Sequence, residues 1–348
     1  WETLKQAEFW HPIDGSIQCD LCPHGCKIAP GKRGICRVRE NRDGKVYGLT
    51  YGKPVSLAID PVEKKPLFHV YPGSMIYSVG LAGCNLKCSF CQNYEISQAS
   101  PEDLDSYDAP PDALVKKAKD SGCLGIAFTY NEPAVSIEYS LDTFELARRE
   151  GLYTCYVTNG YINPEPAREV GKYLSCANVD LKSSEAEFYR KLCRAPRIEA
   201  VKEAIRIWNE MGVAVEITTL LIPRHNDSQE AIDGVVEFVR ELGPDIPLHF
   251  SRFHPMYMLT DVEPTPPETI ERAVQMARGK GLKHVYAGNI FGSRWENTYC
   301  PSCGNVLIER HGYVLGKVAL DAANRCKNCG QPVKILGKPV RQRPFTLF

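Results

Sequence analysis

The chain has 348 residues, and 42 Lys plus Arg are matched by 42 Asp plus Glu, so its formal net charge is zero. That balance argues against a strongly basic nucleic-acid binder and against an acidic tail, while leaving room for a local basic patch. A composition 24% charged and 43% apolar excludes a wholly disordered chain, and roughly 100–200 residues per domain gives two or three units.

No apolar run reaches membrane-spanning length, and no basic-then-apolar leader is present. A chain beginning at Trp1 points to processing or trimming. The 15 cysteines are the informative feature. Eleven of them fall into three local groups with short spacings, which in a long chain speaks for metal rather than for disulfides. The expected compartment is therefore reducing, and the expected location cytoplasmic without membrane association.

In chain order, residues 1–70 read as a Cys-rich, metal-binding N-terminal extension. Cys19, Cys22, Cys26 and Cys36 form a four-thiol set, with Gly25, Gly31 and Gly34 supplying turns. Zinc is the first reading and an additional iron–sulfur cluster the second. Val46–Ile59 reads as a β-hairpin around Gly52-Lys53-Pro54.

Across residues 71–290, apolar strands alternate with helical segments. The expected strands are Met75–Gly80, Gly125–Phe128, Tyr153–Val157, Ala177–Leu181, Ala214–Thr219, Leu248–Phe250 and His284–Tyr286. The helices between them are Pro111–Ser121, Ala134–Glu150, Pro164–Lys172, Ile198–Met211, Ser228–Leu242 and Pro267–Lys280. Continuous apolar strands separated by helices imply a parallel sheet covered by helices, either a full or partial barrel or an open doubly wound sheet. Either arrangement puts the site at the C-terminal ends of the strands. Polar residues recur there, at Thr129–Glu132, Thr158-Asn159, Asp180–Lys182 and Arg252–His254.

Residues 291–348 hold two CxxC knuckles, Cys300/Cys303 and Cys326/Cys329, flanking strands at Val306–Arg310 and Tyr313–Lys317. This is a zinc-ribbon pattern with four thiolates and no open position, hence a structural site; rubredoxin-type iron is the alternative. The tail Lys338–Phe348 reads as extended. Of the four remaining cysteines, Cys155 is expected in the core, and Cys123 and Cys176 sit just before strands. Cys193 has the most loop-like surroundings.

The central motif is Cys84-Asn-Leu-Lys-Cys88-Ser-Phe-Cys91, which directly follows the first strand and Gly83. Three thiolates can hold three irons of a cubane cluster and leave the fourth open. The CxxxCxxC spacing, with Phe90 before the third Cys, resembles the radical SAM superfamily. The longer segment GCNLKCSFCQNYEISQ, preceded by DPVEKKPLFHVYPGS, resembles the radical SAM enzyme of the AmmeMemoRadiSam system. That group is related to the pyruvate formate-lyase-type activating enzymes of glycyl-radical proteins.

The resemblance implies a partial (β/α)6 TIM-like barrel in which Cys84, Cys88 and Cys91 hold a [4Fe–4S] cluster. S-adenosylmethionine (SAM) would chelate the open iron, and reductive cleavage would give a 5′-deoxyadenosyl radical for hydrogen abstraction. It further implies an external one-electron reductant, a protein or peptide substrate, and a partner from the AmmeMemoRadiSam system.

Other residues can be carried over singly. Glu132 stands in Thr-Tyr-Asn-Glu-Pro where relatives carry Gly-Gly-Glu-Pro, with Tyr130 and Asn131 replacing the glycines. Asn159, Asp180 and Lys182 are expected near SAM. His254 matches the His of a Pro-Phe-His segment, with Arg252 in place of the Pro. Gln92 and Asn93 are candidates for hydrogen bonds to cluster sulfur or adenine, and Thr218 for the pocket lining. The bland alternatives are a loop ion pair for Asp180 and Lys182, a structural histidine for His254, and β-propensity for Thr218. A glycyl-radical activase, a nucleic-acid-modifying radical enzyme and a non-catalytic iron–sulfur and zinc interaction module stand as the competing functions.

Overall fold

The computed structural model describes residues 4–290 and 292–340, so most of the tail expected to be extended lies outside the described residues. Seven parallel strands form the centre: β1 (Met75–Gly80), β2 (Gly125–Phe128), β3 (Tyr153–Thr158), β4 (Cys176–Asp180), β5 (Ala214–Leu221), β6 (Leu248–Arg252) and β7 (Val285–Gly288). Their order in the sheet follows their order in the chain. A doubly wound sheet needs a reversal of strand order, and none occurs here, so the chain winds in one direction as a barrel does. The sheet stays open, because β1 pairs on its outer side with the antiparallel strand Ser56–Pro61 rather than with β7.

Six helices follow the strands: α1 (Pro111–Asp120), α2 (Ile137–Arg149), α3 (Pro164–Gly171), α4 (Ile198–Glu210), α5 (Gln229–Leu242) and α6 (Pro267–Gly279). The expected (β/α)6 repeat is thus present with a seventh strand added. Local chemistry sets the ends. Proline opens α1, α3 and α6, where its missing N–H costs nothing. The Ser228 hydroxyl caps α5 by accepting from the Ala231 N–H at 3.1 Å. Helix α4 buries Val201, Ala204, Ile205 and Trp208, a helical stripe that packs on α3, and the Trp208 indole donates to the Ala167 carbonyl at 2.9 Å.

The hairpin expected over Val46–Ile59 does not form. Lys45–Gly48 pairs instead with Arg39–Arg42, through a turn at Asp43-Gly44, where both residues have positive φ. Ser56–Pro61 leaves to join β1. The physical reason is that the apolar β1 edge offers Ser56–Pro61 a longer ladder than Lys45–Gly48 could.

The segment after Ser56–Pro61 plugs the barrel near the N-terminal ends of the strands. Backbone N–H groups of Phe68 and His69 donate to the buried Glu216 carboxylate of β5 at 3.0 and 2.7 Å, and His249 of β6 meets the same carboxylate at 2.7 Å. The C-terminal ribbon docks on this plug. Arg310 donates to the Phe68 carbonyl, His69 meets the Lys334 carbonyl, and Val70 pairs with Leu336. The ribbon therefore sits at the end of the barrel opposite the triad loop.

His284, also at this end, is buried with its Nδ1 unpartnered. Burial lowers its pKa to about 4; Asp245 opposes the shift, and Lys283 and Arg278 reinforce it. The His69 ring lies 4.4 Å away and is itself held well below its ordinary value by burial. Above about pH 6.5 the imidazole is neutral folded or unfolded, so no term arises. As pH falls toward 4 the unfolded chain takes a proton that the folded chain refuses, and stability drops. Between pH 7 and 4.5 this site is expected to cost about 2 kcal/mol, so His284→Asn should flatten the pH dependence of the urea midpoint. An unchanged slope in the variant would assign the acid sensitivity to other groups.

Candidate functional site

The triad loop begins where β1 ends. Gly83 has φ +83°, and a Cβ there would lie 2.5 Å from the Cys36 carbonyl oxygen, so both backbone conformation and space demand glycine. Cys84 and Cys91 are half-buried and Cys88 is buried. The loop is held from the other side by the π-helical turn Tyr189–Cys193: the Lys87 N–H donates to the Cys193 carbonyl at 3.0 Å and the Ser89 N–H to the Leu192 carbonyl at 2.9 Å.

Donors surround the sulfurs. The Leu86 N–H lies 3.4 Å and the Asn159 amide 3.7 Å from Cys84 Sγ, and the Ser97 hydroxyl is 3.2 Å from Cys91 Sγ. Burial pushes the Cys84 thiol well above its usual range, and Glu132 and the other two thiols push the same way. Three thiolates together in such a place require a compensating cation, which is the condition a bound iron centre meets. Among the described residues, the set of metal-ligating side chains whose ligand atoms all lie within 4.8 Å of one another is Cys300, Cys303, Cys326 and Cys329. Cys84, Cys88 and Cys91 do not form such a set; in a cubane each sulfur would sit on a different iron.

The strand-end residues divide into those that brace the loop and those left free. Glu132 is spent internally. It accepts from the Thr158 hydroxyl (2.7 Å), the Asn159 N–H (2.8 Å) and the Ala134 N–H (2.9 Å), and burial raises its pKa to about 7. Its carboxylate thereby fixes Asn159, whose amide also donates to Asn85 at 3.0 Å. Asn131 accepts from the Leu81 N–H (3.1 Å) and donates to the Gly83 carbonyl (2.8 Å), so the residue in the second glycine position holds the triad loop through its side chain.

Tyr130 occupies the first glycine position with φ +73°, a conformation disfavoured for a side-chain-bearing residue. Its hydroxyl is anchored on Asp60, and Lys65 lies 4.2 Å over its ring. Lys64 and Lys65 in turn hold Asp60 ionised against the effect of burial. The DPVEKKP segment thus anchors the Tyr130 side chain, which follows β2.

Lys182 and Asp180 remain as a charged pair at the end of β4, 2.7 Å apart, with side chains 12% and 38% exposed. Burial alone would lower the Lys182 pKa, but Asp180, Cys88 and Cys193 hold it well above its ordinary value. Its ammonium sits 5.8 Å from the Phe90 ring, and Phe90 packs on Phe188. Asn93 donates to the Tyr130 carbonyl at 2.9 Å, while Gln92 and His254 are exposed. Thr218 pairs in the sheet with Asp180, and its hydroxyl accepts from Asn178 at 2.9 Å.

Sequence reasoning missed Asn85, Asn131 and Ser97 as supports. A short amide or hydroxyl within the motif or beside it is the signal that points to them. It also misread Cys193. The thiol is buried, not loop-like, and its hydrogen bond to Cys88 lowers the Cys88 pKa while Cys193 retains its own proton. Cys123, Cys155 and Cys176 are buried.

The ribbon thiols are preset for a metal. Cys300 and Cys329 sulfurs are 3.5 Å apart, Cys303 and Cys326 sulfurs 3.8 Å, and Gly304 and Gly330 take positive φ after each knuckle. These spacings match a tetrahedral four-thiolate ion. The N-terminal set also converges: the Cys19 N–H donates to the Cys26 carbonyl at 2.9 Å, and the Ile35 N–H lies 3.5 Å from Cys26 Sγ. Burial raises the Cys22 thiol to about 12, and the charges of Cys36, Cys19 and Cys26 add to the effect.

Comparisons with known proteins agree with this geometry. The family model described as the radical SAM superfamily matches residues 79–238, from the end of β1 through most of α5. The uncharacterized protein MJ0808 of Methanocaldococcus jannaschii is 44% identical over 336 residues, covering 96% of this chain and 100% of that one. The pyruvate formate-lyase 1-activating enzyme of Escherichia coli (strain K12) is 22% identical over 223 residues, 59% of this chain and 89% of its own. Among solved structures, a radical SAM methyltransferase from Sphaerobacter thermophilus shares the fold, with TM-score 0.50 and 18% identity over 62% of this chain and 67% of that one. No helix among the described residues is long and apolar enough to cross a membrane. With a cysteine triad at the first strand end of a one-way-wound sheet, residues 79–238 form a radical SAM domain, and the chain is an enzyme.

Proposed function

We propose that the protein is a SAM-dependent radical enzyme that removes a hydrogen atom from a protein or peptide. The observation that carries this reading is the strand-end Asp180–Lys182 ion pair, whose ammonium lies 5.8 Å from the ring of Phe90 within the triad loop and interacts by charge with the Cys88 thiol. A reduced [4Fe–4S] cluster with SAM supplies a 5′-deoxyadenosyl radical when bound.

The chain's own residues orient and enclose. Cys84, Cys88 and Cys91 would hold the irons, and Lys182 and Asp180 would offer a cation and an anion to the methionyl carboxylate and amine. Asn159, fixed by Glu132, donates toward Cys84 sulfur. Phe90 and Phe188 exclude water from one side. Gln92 and His254, being exposed at the mouth, face the substrate side. The mouth also fits a peptide: Tyr257 stacks on Tyr94 with ring centres 4.5 Å apart, Met258 is 70% exposed, and its N–H ties this rim to the Ser89 carbonyl of the triad loop.

Zinc in the ribbon, on the far end of the barrel, serves as a structural clamp. An external one-electron donor is required. The resemblance of the triad segment to the AmmeMemoRadiSam enzymes supports a partner from that system and a cytoplasmic setting. A glycyl-radical activase is the second reading, supported by the similarity to pyruvate formate-lyase 1-activating enzyme.

The test is anaerobic. Protein reconstituted with iron and sulfide, then given dithionite and SAM, is expected to release 5′-deoxyadenosine. Deuterated peptides, glycyl-radical proteins or nucleic acids then report which substrate class delivers deuterium to that product. A fully reconstituted sample that releases none would favour a non-catalytic interaction module.

A further inference from the structure

The geometry points to a second [4Fe–4S] cluster, held by Cys19, Cys22, Cys26 and Cys36 and in electron-transfer contact with the triad. The four thiols arrive from separate places. Cys19 ends one strand of a small sheet, and Cys26 directly precedes the strand paired with it, so the two face each other across the ladder. A turn closes from the Gly25 N–H to the Cys22 carbonyl at 3.0 Å, and the Ile35 N–H, directly before Cys36, lies 3.5 Å from Cys26 Sγ. Three of the four are buried. A backbone N–H aimed at sulfur is the kind of support that cluster thiolates use.

The spacing separates this set from the ribbon. A tetrahedral zinc with bonds of about 2.3 Å draws its sulfurs to about 3.8 Å from one another. The ribbon has that spacing, whereas the N-terminal four, although all described, do not lie within 4.8 Å of one another as a set. In this they resemble the triad, where each sulfur is meant for a different iron.

The position supplies the role. The Cys36 carbonyl packs against Gly83, the residue directly before Cys84. His24, two residues after Cys22, meets the Asn85 carbonyl at 2.8 Å, directly after Cys84. Four thiolates occupy all four irons, so this cluster has no open position for SAM. It takes one electron from an external one-electron donor and is reoxidised by passing that electron to the neighbouring triad site. The role as donor to the triad rests on the proposed radical chemistry; occupancy of the site does not.

The decisive sample is the full chain with Cys84, Cys88 and Cys91 changed to Ala, reconstituted anaerobically with iron and sulfide. It is expected to keep about four irons and four sulfides, where the wild type holds about eight of each, with about one zinc in both. Loss of all iron from this variant, or a wild type with about four irons and two zincs, would overturn the proposal; the second measurement decides even if the variant does not fold. In dithionite-reduced wild type, electron paramagnetic resonance should show two mutually broadened signals, and one sharp signal in the variant. Two clusters with unbroadened signals would overturn the contact. Eight irons without 5′-deoxyadenosine release would sink the radical reading and leave this one standing.

Discussion

Changing Cys84, Cys88 and Cys91 together to Ala is expected to reduce 5′-deoxyadenosine release to the assay background while the barrel stays folded. The loop backbone is held by bonds that need no thiol: Lys87 to Cys193, Ser89 to Leu192, and Asn131 to Gly83 and Leu81. Circular dichroism and the urea midpoint should therefore change little. A graded series extends the result. Asn159→Ala removes a donor to Cys84 and a partner of Asn85, and supports of this kind commonly cost about 10–100-fold in metal affinity or activity. Gln92→Ala, at an exposed residue, should cost far less. Full activity in the triple variant would remove the chemistry from the triad altogether.

Arg39→Met is expected to cost about 3–5 kcal/mol of stability, because it strands a buried carboxylate. The Arg39 guanidinium meets Glu138 of α2 at 2.9 Å, with side chains 1% and 3% exposed. Glu138 also accepts the Glu8 N–H at 2.8 Å, and Arg39 donates to the Glu8 carbonyl. This buried pair joins the N-terminal module to the barrel by charge, alongside the more exposed Lys5–Asp142 pair. Burial disfavours the Arg39 charge, and Glu138, with Cys19 and Cys36, more than offsets it. The double variant Arg39→Met, Glu138→Leu should recover most of the loss, since apolar groups of similar size need no partner. Chemical denaturation of the two variants side by side checks this. A single variant no less stable than the double would mean that water reaches the carboxylate.

The barrel strands were readable because each is an unbroken apolar run between polar ends: Met75–Gly80 and Gly125–Phe128 have the expected limits. Helix stops were readable from Gly151 and Gly212, both at positive φ. One-way winding was not readable, since pairing between distant strands leaves no period in the sequence. The hairpin error has the same root. Gly52-Lys53-Pro54 has turn chemistry, but the partner of Ser56–Pro61 lies beyond it, in β1. In the site, spacing alone gave the triad and the ribbon. The amides that brace the triad were hidden, because a lone Asn in a loop becomes a support only when the fold brings sulfur or a carbonyl to it. Glu132 was legible as important but not in kind: its carboxylate is consumed by Thr158, Asn159 and Ala134.

The plug at the barrel's N-terminal end bears on the order of assembly. His69 needs the Lys334 carbonyl and Val70 needs Leu336, contacts separated by more than two-thirds of the chain. Contacts of such long sequence separation slow folding. On a ribosome, β1 and its edge partner are complete long before the ribbon is translated. Phe68 and His69 must then wait for Glu216, and Arg310 arrives later still to cover them. Until that moment Phe68 and Val70 lack the cover of Arg310 and Leu336, and this interval is when the nascent protein is most open to aggregation.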